Sequence, residues 1–275
     1  MKEITLEYRH RGRTRTLAAT IPASLSEATP AQFLALLGLS EGAITEEMFF
    51  RQFFGISSDI LARLDPWQLY VMASQLHHLW QRAPVDRMIL PRLTVSPDTT
   101  AMKGFPPPEG IHPMTLTPPA PRLRGMTFQQ FMTVDQLWQW YAYTDRADYL
   151  HAMVAALYIP DDADFFTYDH GLVTEAIAHS ADTLQLQAIA ANWALVRDWL
   201  ASAYPHLFPA PASSATVPGA SAAGQKKPRP GSWLAILDAL VADDLTRLQT
   251  YPRLQAMDVI RILNRRIADA KHPRP

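Results

Sequence analysis

At 275 residues the chain is long enough to bury one large core or two small ones. Hydrophobic residues make up 48% and charged residues 19%, which excludes an intrinsically disordered polymer, and a formal net charge of −1 excludes a global field that would steer the chain to nucleic acid or an anionic membrane. No cysteine occurs, which excludes disulfide frameworks, thiolate zinc sites and cysteine nucleophiles.

The N-terminus, Met1-Lys2-Glu3-Ile4-Thr5, is not followed by an apolar run of signal-peptide length. No later stretch reaches the roughly 18 uncharged apolar residues of a membrane span. A cytoplasmic location without membrane contact is the expectation. Residues 2 to 8 alternate, with Ile4, Leu6 and Tyr8 on one face, and residues 14 to 21 offer Leu17, Ala19 and Ile21 as the matching face. His10-Arg11-Gly12-Arg13 between them is a polar turn, so a β-hairpin is predicted; alone it is marginal and needs something packed against it.

Thr29-Pro30-Ala31-Gln32 follows, with a capping threonine, proline at the first helical position and glutamine where a capping box requires it. Phe33, Leu36 and Leu37 then form a helical stripe. A second helix is predicted over 45–54 with Met48, Phe49 and Phe53, and a third begins at Asp65-Pro66, with Leu69, Met72, Leu76 and Leu79 spaced for one buried face. From Pro84 to Arg124 the pattern fails, because repeated prolines, among them Pro106, Pro107 and Pro108, remove backbone donors. That stretch reads as a linker, an arm or an irregular β excursion, with short extended pieces such as Met88 to Val95.

Periodicity resumes at Thr127, where Gln130 again suits a capping box, and continues through Phe131, Val134, Leu137, Trp138 and Tyr141. A helix over about 146–158 carries Tyr149, Leu150, Met153, Val154 and Leu157, and residues 184–204 place Ile189, Trp193, Val196, Leu200 and Tyr204 at steps of three and four. Residues 209–231, rich in alanine, serine, glycine and proline with Lys226, Lys227 and Arg229, read as a flexible loop. Ser232 can then cap a helix with Trp233, Ile236, Leu237 and Leu240, and a last helix carries Met257, Ile260, Leu263 and Ile267.

The expected fold class is therefore mainly α: a helical bundle-like body with a small N-terminal β-hairpin and proline-rich excursions. The chain divides into 1–83 (hairpin plus helical segment), 84–125 (proline-rich arm or linker), 126–208 (helical core), 209–231 (flexible loop) and 232–275 (C-terminal helices packing on the core). Thr29 to Leu34 and Thr127 to Met132 share threonine, glutamine and phenylalanine at equal spacing, which reads as one capping solution used twice or as a duplication.

No constellation of a known active site is present. There is no GxSxG, SxxK, P-loop or GxGxxG. Adjacent helical residues point about 100° apart, so His77-His78 reads as one surface and one partly packed histidine rather than metal chemistry. Asp161, Asp162, Asp164 and Asp169, followed by His170, are the densest acidic group but lack the order of a calcium loop, so a solvated inter-helical loop is expected. An enzyme would show a deep pocket joining these residues to His151 or His179. No cofactor and no metal are expected.

Two basic patches, Arg9-His10-Arg11-Gly12-Arg13 with Arg15 in the hairpin turn and Arg261, Arg265 and Arg266 in the last helix, read as solvated faces. The neutral balance and the absence of a reader motif argue against dedicated nucleic-acid binding. Trp138, Trp140, Tyr141 and Tyr143 cannot share one helical face; Trp138 and Tyr141 suit the core, leaving Trp140 and Tyr143 at its margin or outside. These four aromatics with Arg261 and Arg265 are the candidate partner-binding residues.

The order of segments resembles proteins of phage and prophage tail gene clusters, tail-assembly chaperones among them. The resemblance is carried by P-x-S-x-x-E-x-T-P-x-Q-F-L (Pro22 to Leu34), M-T-F-x-Q-F (Met126 to Phe131), Y-L-x-x-M-V-A-A-L-Y-x-P (Tyr149 to Pro160), W-L-x-I-L-D-A-L (Trp233 to Leu240) and A-M-D-V-I-R-I-L-N (Ala256 to Asn264). The hairpin and the long proline-rich arm depart from the shorter chaperones. The resemblance implies a non-enzymatic assembly factor that binds another tail protein, such as the tape-measure protein. The alternative is a structural or connector component of the particle.

Overall fold

The alternating N-terminal segments close as a hairpin. β1 (Lys2–His10) and β2 (Arg13–Ile21) pair antiparallel, from Lys2 opposite Ile21 to His10 opposite Arg13. The turn residues Arg11 and Gly12 both take left-handed backbone, at φ 50° and 72°, as a two-residue type I′ turn demands. The structure, a computed structural model, describes residues 1–81, 83–96, 113–208, 231–241 and 244–271.

Five helices follow the hairpin: α1 (Pro30–Ser40), α2 (Glu46–Phe54), α3 (Ser58–Leu61), α4 (Pro66–Ser74) and α5 (His77–Trp80). α1 and α4 both begin with a complete capping box and a proline in the first turn. α2 is capped by Thr45 and stops at Gly55, whose φ of 68° is the left-handed cap that glycine adopts without strain. The apolar stripe from Leu69 to Leu79, predicted as one helix, is split. Gln75 and Leu76 turn back on Met72 and Ala73 with i→i+3 bonds, and α5 starts a fresh turn.

Beyond α5, Val85, Met88, Ile89, Leu90, Leu93 and Val95 are all buried. β3 (Leu93–Val95) pairs with β4 (Met114–Thr117). The described residues of 84–125 thus contribute buried side chains and short strands. Their prolines exclude α-helix without excluding burial. Residues 97–112, and residues 209–230 of the predicted flexible loop over 209–231, lie outside the described residues.

The C-terminal half holds α6 (Phe128–Thr144), α7 (Ala147–Leu157), β5 (Ile159–Pro160), α8 (His170–Ser180), α9 (Thr183–Ala203), α10 (Trp233–Val241), α11 (Leu245–Thr250) and α12 (Ala256–Lys271). β5 adds a second neighbour to β4, so the small sheet runs β3-β4-β5. α9 is the central strut, with Ile189, Trp193, Val196 and Leu200 fully buried along one stripe. One continuous apolar cluster runs from Ile21 through Leu90 and Trp193 to Leu263, so the two helical halves share a core. The fully buried Asn192 seals the junction: its Oδ1 accepts from Ile89 N at 2.6 Å and its Nδ2 donates to the Arg87 carbonyl at 3.0 Å. Mainly α with an N-terminal hairpin is thus the observed class. No helix among the described residues is long and apolar enough to cross a membrane.

Three glutamines at the third helical position tie helix starts to distant backbone. Gln32 closes the α1 capping box and donates through Nε2 to the Thr20 carbonyl at 3.2 Å. Gln68 closes the α4 box and donates to the Glu7 carbonyl at 2.7 Å. Thr20 and Glu7 fall in the pairs of the hairpin ladder whose carbonyls point outward, so the two glutamines occupy both free edges of the two-stranded sheet. At α6 the expected box forms only by half. Thr127 Oγ1 accepts from Gln130 N, but the Gln130 amide turns inward to the buried Ala156 carbonyl at 2.9 Å, where an unpaired acceptor would be costly.

Candidate functional site

α9 turns its apolar stripe to the core and a face of small side chains, Ala190, Ala191, Ala194 and Ala201, towards α1 and α6. Small residues leave room between helices, and three cavities lie along this face. The first, about 420 Å³, is walled by Leu25, Phe33, Leu36, Leu37 and Trp80 against Ala191 and Ala194. The second, about 390 Å³, shares Leu37, Ala191 and Ala194 with it and adds Glu41, Trp138, Tyr141 and Asp145. The third, about 610 Å³, shares Trp138 and Ala194 with the second and extends to Asp135, Arg197, Asp198, Phe208, Trp233 and Ile236. The three cavities adjoin through these shared residues, and Glu41, Asp145 and Asp198 are among the side chains that line them.

The groove is stiffened by a buried ionic node. Asp135 is fully buried on the inner side of α6. Its carboxylate accepts from Trp233 Nε1 at 2.8 Å, from Gln139 Nε2 at 2.8 Å and from Trp193 Nε1 at 3.4 Å. Arg197 Nε lies 2.8 Å from Asp135 Oδ1, but its N–H is not directed along that line, so the contact is charge pairing rather than a formed hydrogen bond. The guanidinium covers the Trp138 ring at 4.5 Å, and Trp138 Nε1 donates to the Ala190 carbonyl at 3.1 Å. Two helices, α6 and α9, are thereby locked to α10 through one carboxylate. Above the second cavity the Tyr141 phenol is pushed up from its ordinary range, first by burial and then by the Asp145 and Glu41 carboxylates.

Of the six residues singled out by sequence, Trp138 and Tyr141 stand on this groove and are half-buried against the core. Trp140 and Tyr143 lie elsewhere on α6: Trp140 stacks on Tyr149 at 6.0 Å and meets Tyr143 edge-on at 6.1 Å, with Tyr143 42% exposed. Arg261 pairs with Asp258 within α12 at 3.1 Å, Arg265 is exposed on the same helix, and neither lines these cavities. The six therefore do not form one surface. Asp135 and Arg197 went unread in the sequence; the signal was a carboxylate set inside the apolar stripe Phe131, Val134, Trp138.

The acidic loop is occupied with capping. Asp169 accepts from Gly171 N and Leu172 N at the start of α8, Asp164 accepts from Phe166 N, and Asp161 accepts from the Thr117 hydroxyl. His170 packs between Phe165 and Tyr168 with Nε2 2.8 Å from the Phe165 carbonyl. A cavity of about 260 Å³ touches Asp161 beside Pro118, Gly125 and Gln130, and it is not joined by His151, His170 or His179. No group of three or more metal-ligating side chains occurs among the described residues. His78 is bonded to the Pro22 carbonyl at 3.0 Å. Comparisons with protein-family models, with curated proteins and with solved structures return no match for this chain.

Proposed function

We propose that this protein is a non-enzymatic assembly factor of the phage or prophage tail type, which holds an apolar helix of another tail protein, such as a tape-measure protein, in the groove along α9. The observation that carries the reading is the row of three adjoining cavities along α9, which have Leu37, Trp138, Ala191 and Ala194 as shared lining residues. An amphipathic helix buries its anchors at steps of three and four in such a channel. Alanines on the floor admit the helix closely, Trp138 and Tyr141 offer broad contact area with few rotors to freeze, and the carboxylates at the rim favour basic residues flanking the anchors. The resemblance of its helix-packing motifs, in their order, to tail-cluster proteins is the second ground for this reading.

The test is purification of the tagged full chain from its native host, with co-purifying proteins identified by mass spectrometry and particles assayed separately. Recovery of a long helical tail protein with the wild type, its loss with Ala191→Arg at an unchanged melting temperature, and absence from particles are the expected results. Presence in finished particles replaces the chaperone role with a structural one. Recovery alone, with absence from particles, removes the tail assignment.

A further inference from the structure

The N-terminal hairpin has two outer edges, and they are not covered alike. In an antiparallel pair every second residue points its backbone N–H and C=O away from the partner strand. The ties from Gln68 to the Glu7 carbonyl and from Gln32 to the Thr20 carbonyl identify those residues as the odd positions of β1 and the even positions of β2. Along β1 the edge is held at two places, by Gln68 in the first turn of α4 and by Gln75 at its end, which accepts from the Lys2 ammonium. Along β2 the tie is at Thr20, beside the buried Ala19 and Ile21. The outward backbone groups of Thr14, Thr16 and Ala18 make no hydrogen bond among the described residues, and Arg13, Thr14, Arg15, Thr16 and Ala18 are all exposed.

Water satisfies an open edge, and charged side chains on it are a common device against unwanted pairing. Arg13 and Arg15 act as that device selectively. A two-stranded sheet is marginal until a further strand joins it, so the open stretch favours a strand that pairs without setting arginine against arginine. A second copy of β2, running antiparallel, does so in one register. With Thr16 opposite Thr16, Thr14 lies opposite Ala18 and Arg15 opposite Leu17. Registers shifted towards the turn bring Arg15 opposite Arg15 or Arg13. The register shifted the other way sets Thr14 opposite Thr20, whose carbonyl Gln32 already holds. Pairing of β2 with the β1 of another copy meets the ties from α4, and it propagates head to tail without closing.

We propose that the open edge of β2 is a self-association surface. A second copy of this chain adds its β2 antiparallel across a two-fold axis at Thr16 and joins the two hairpins into one four-stranded sheet. Facing residues of such a ladder exchange both backbone bonds, so Thr14, Thr16 and Ala18 all find partners. Threonine opposite threonine is a favourable cross-strand pair. The two-fold makes the contact isologous, so association stops at the dimer. The surface is separate from the cavities along α9 and does not depend on the reading given to them.

The experiment is sedimentation velocity of the full chain over a concentration series, where a monomer–dimer equilibrium is expected. Thr16→Pro removes an outward N–H and leaves the hairpin's own ladder intact, because proline is accepted on an edge strand where its nitrogen faces out. It raises the dimer dissociation constant by about tenfold or more, the loss of the two bonds at the axis, while the far-UV circular dichroism stays that of the wild type. The chain has no cysteine, so Thr16→Cys carries its sole thiol. The Cα separation of a hydrogen-bonded pair, about 5.5 Å, lies within the span of a disulfide, so mild oxidation cross-links this variant to its own copy. Thr5→Cys, exposed on the edge held by α4, stays uncross-linked. A monomer at every concentration up to about 1 mM, the weak end of specific association, overturns the proposal. So does a dimer that Thr16→Pro leaves unchanged, or equal cross-linking of the two cysteine variants, since either puts the contact on another surface.

Discussion

Asp135 is the residue on which most of the C-terminal architecture converges. A carboxylate with no exposed surface is tolerated only when its charge is matched and its lone pairs are used, and here two indoles, an amide and a guanidinium do both. Asp135→Asn keeps the shape but removes the charge, leaving Arg197 unmatched over Trp138. The expected loss in unfolding free energy is about 3 kcal/mol, read by chemical denaturation, and Arg197→Met added to it should return part of that loss. A single-variant change below about 0.5 kcal/mol, the level of an ordinary surface substitution, removes the node from the account of stability. The node was not legible in sequence because its partners lie 58 and 98 residues away, at Trp193 and Trp233.

At the scale of elements, helix starts do more than start helices. The threonine or aspartate cap and the glutamine three residues later are local and can be read directly, as at Thr29 and Gln32. What the second end of each glutamine bonds to is not local. Gln32 and Gln68 reach the hairpin edges and Gln130 reaches α7, so one motif serves as a cap twice and as a half-cap with a tertiary tie once. A two-stranded sheet is marginal by itself, and Gln68→Ala removes both the return bond of the α4 box and the tie to Glu7. About 1 kcal/mol of stability should be lost. Exchange of the Leu6, Tyr8 and Leu17 amides should rise ahead of exchange in α9. Unchanged protection at those amides would mean that the apolar face of the hairpin suffices to hold it.

At the scale of the whole molecule, the shared core predicts one cooperative transition. Asn192 joins α9 to the segment after α5, Val85 N donates to the Leu195 carbonyl at 3.3 Å, and α1 packs directly on α9. Neither 1–83 nor 126–208 has its own closed core. Scanning calorimetry should give a calorimetric enthalpy equal to the van't Hoff value, and residues 1–83 expressed alone should lack a folded circular-dichroism melt. Two resolved transitions, or a cooperative melt of the fragment, would divide the molecule in two.

The sequence by itself determined the element types: the hairpin from alternation, α1, α2, α6, α7, α9, α10 and α12 from caps and helical spacing, and the mainly α class from their sum. These are legible because hydrophobic period and capping act over a few residues. Helical spacing also separated Trp138 and Tyr141 from Trp140 and Tyr143. The sequence did not determine the break after Ser74, the burial of Met88, Leu90, Leu93 and Val95 or the α8 start at Asp169. Those outcomes were decided by the tertiary structure, because burial, charge pairing and surface adjacency depend on partners brought together from distant parts of the chain.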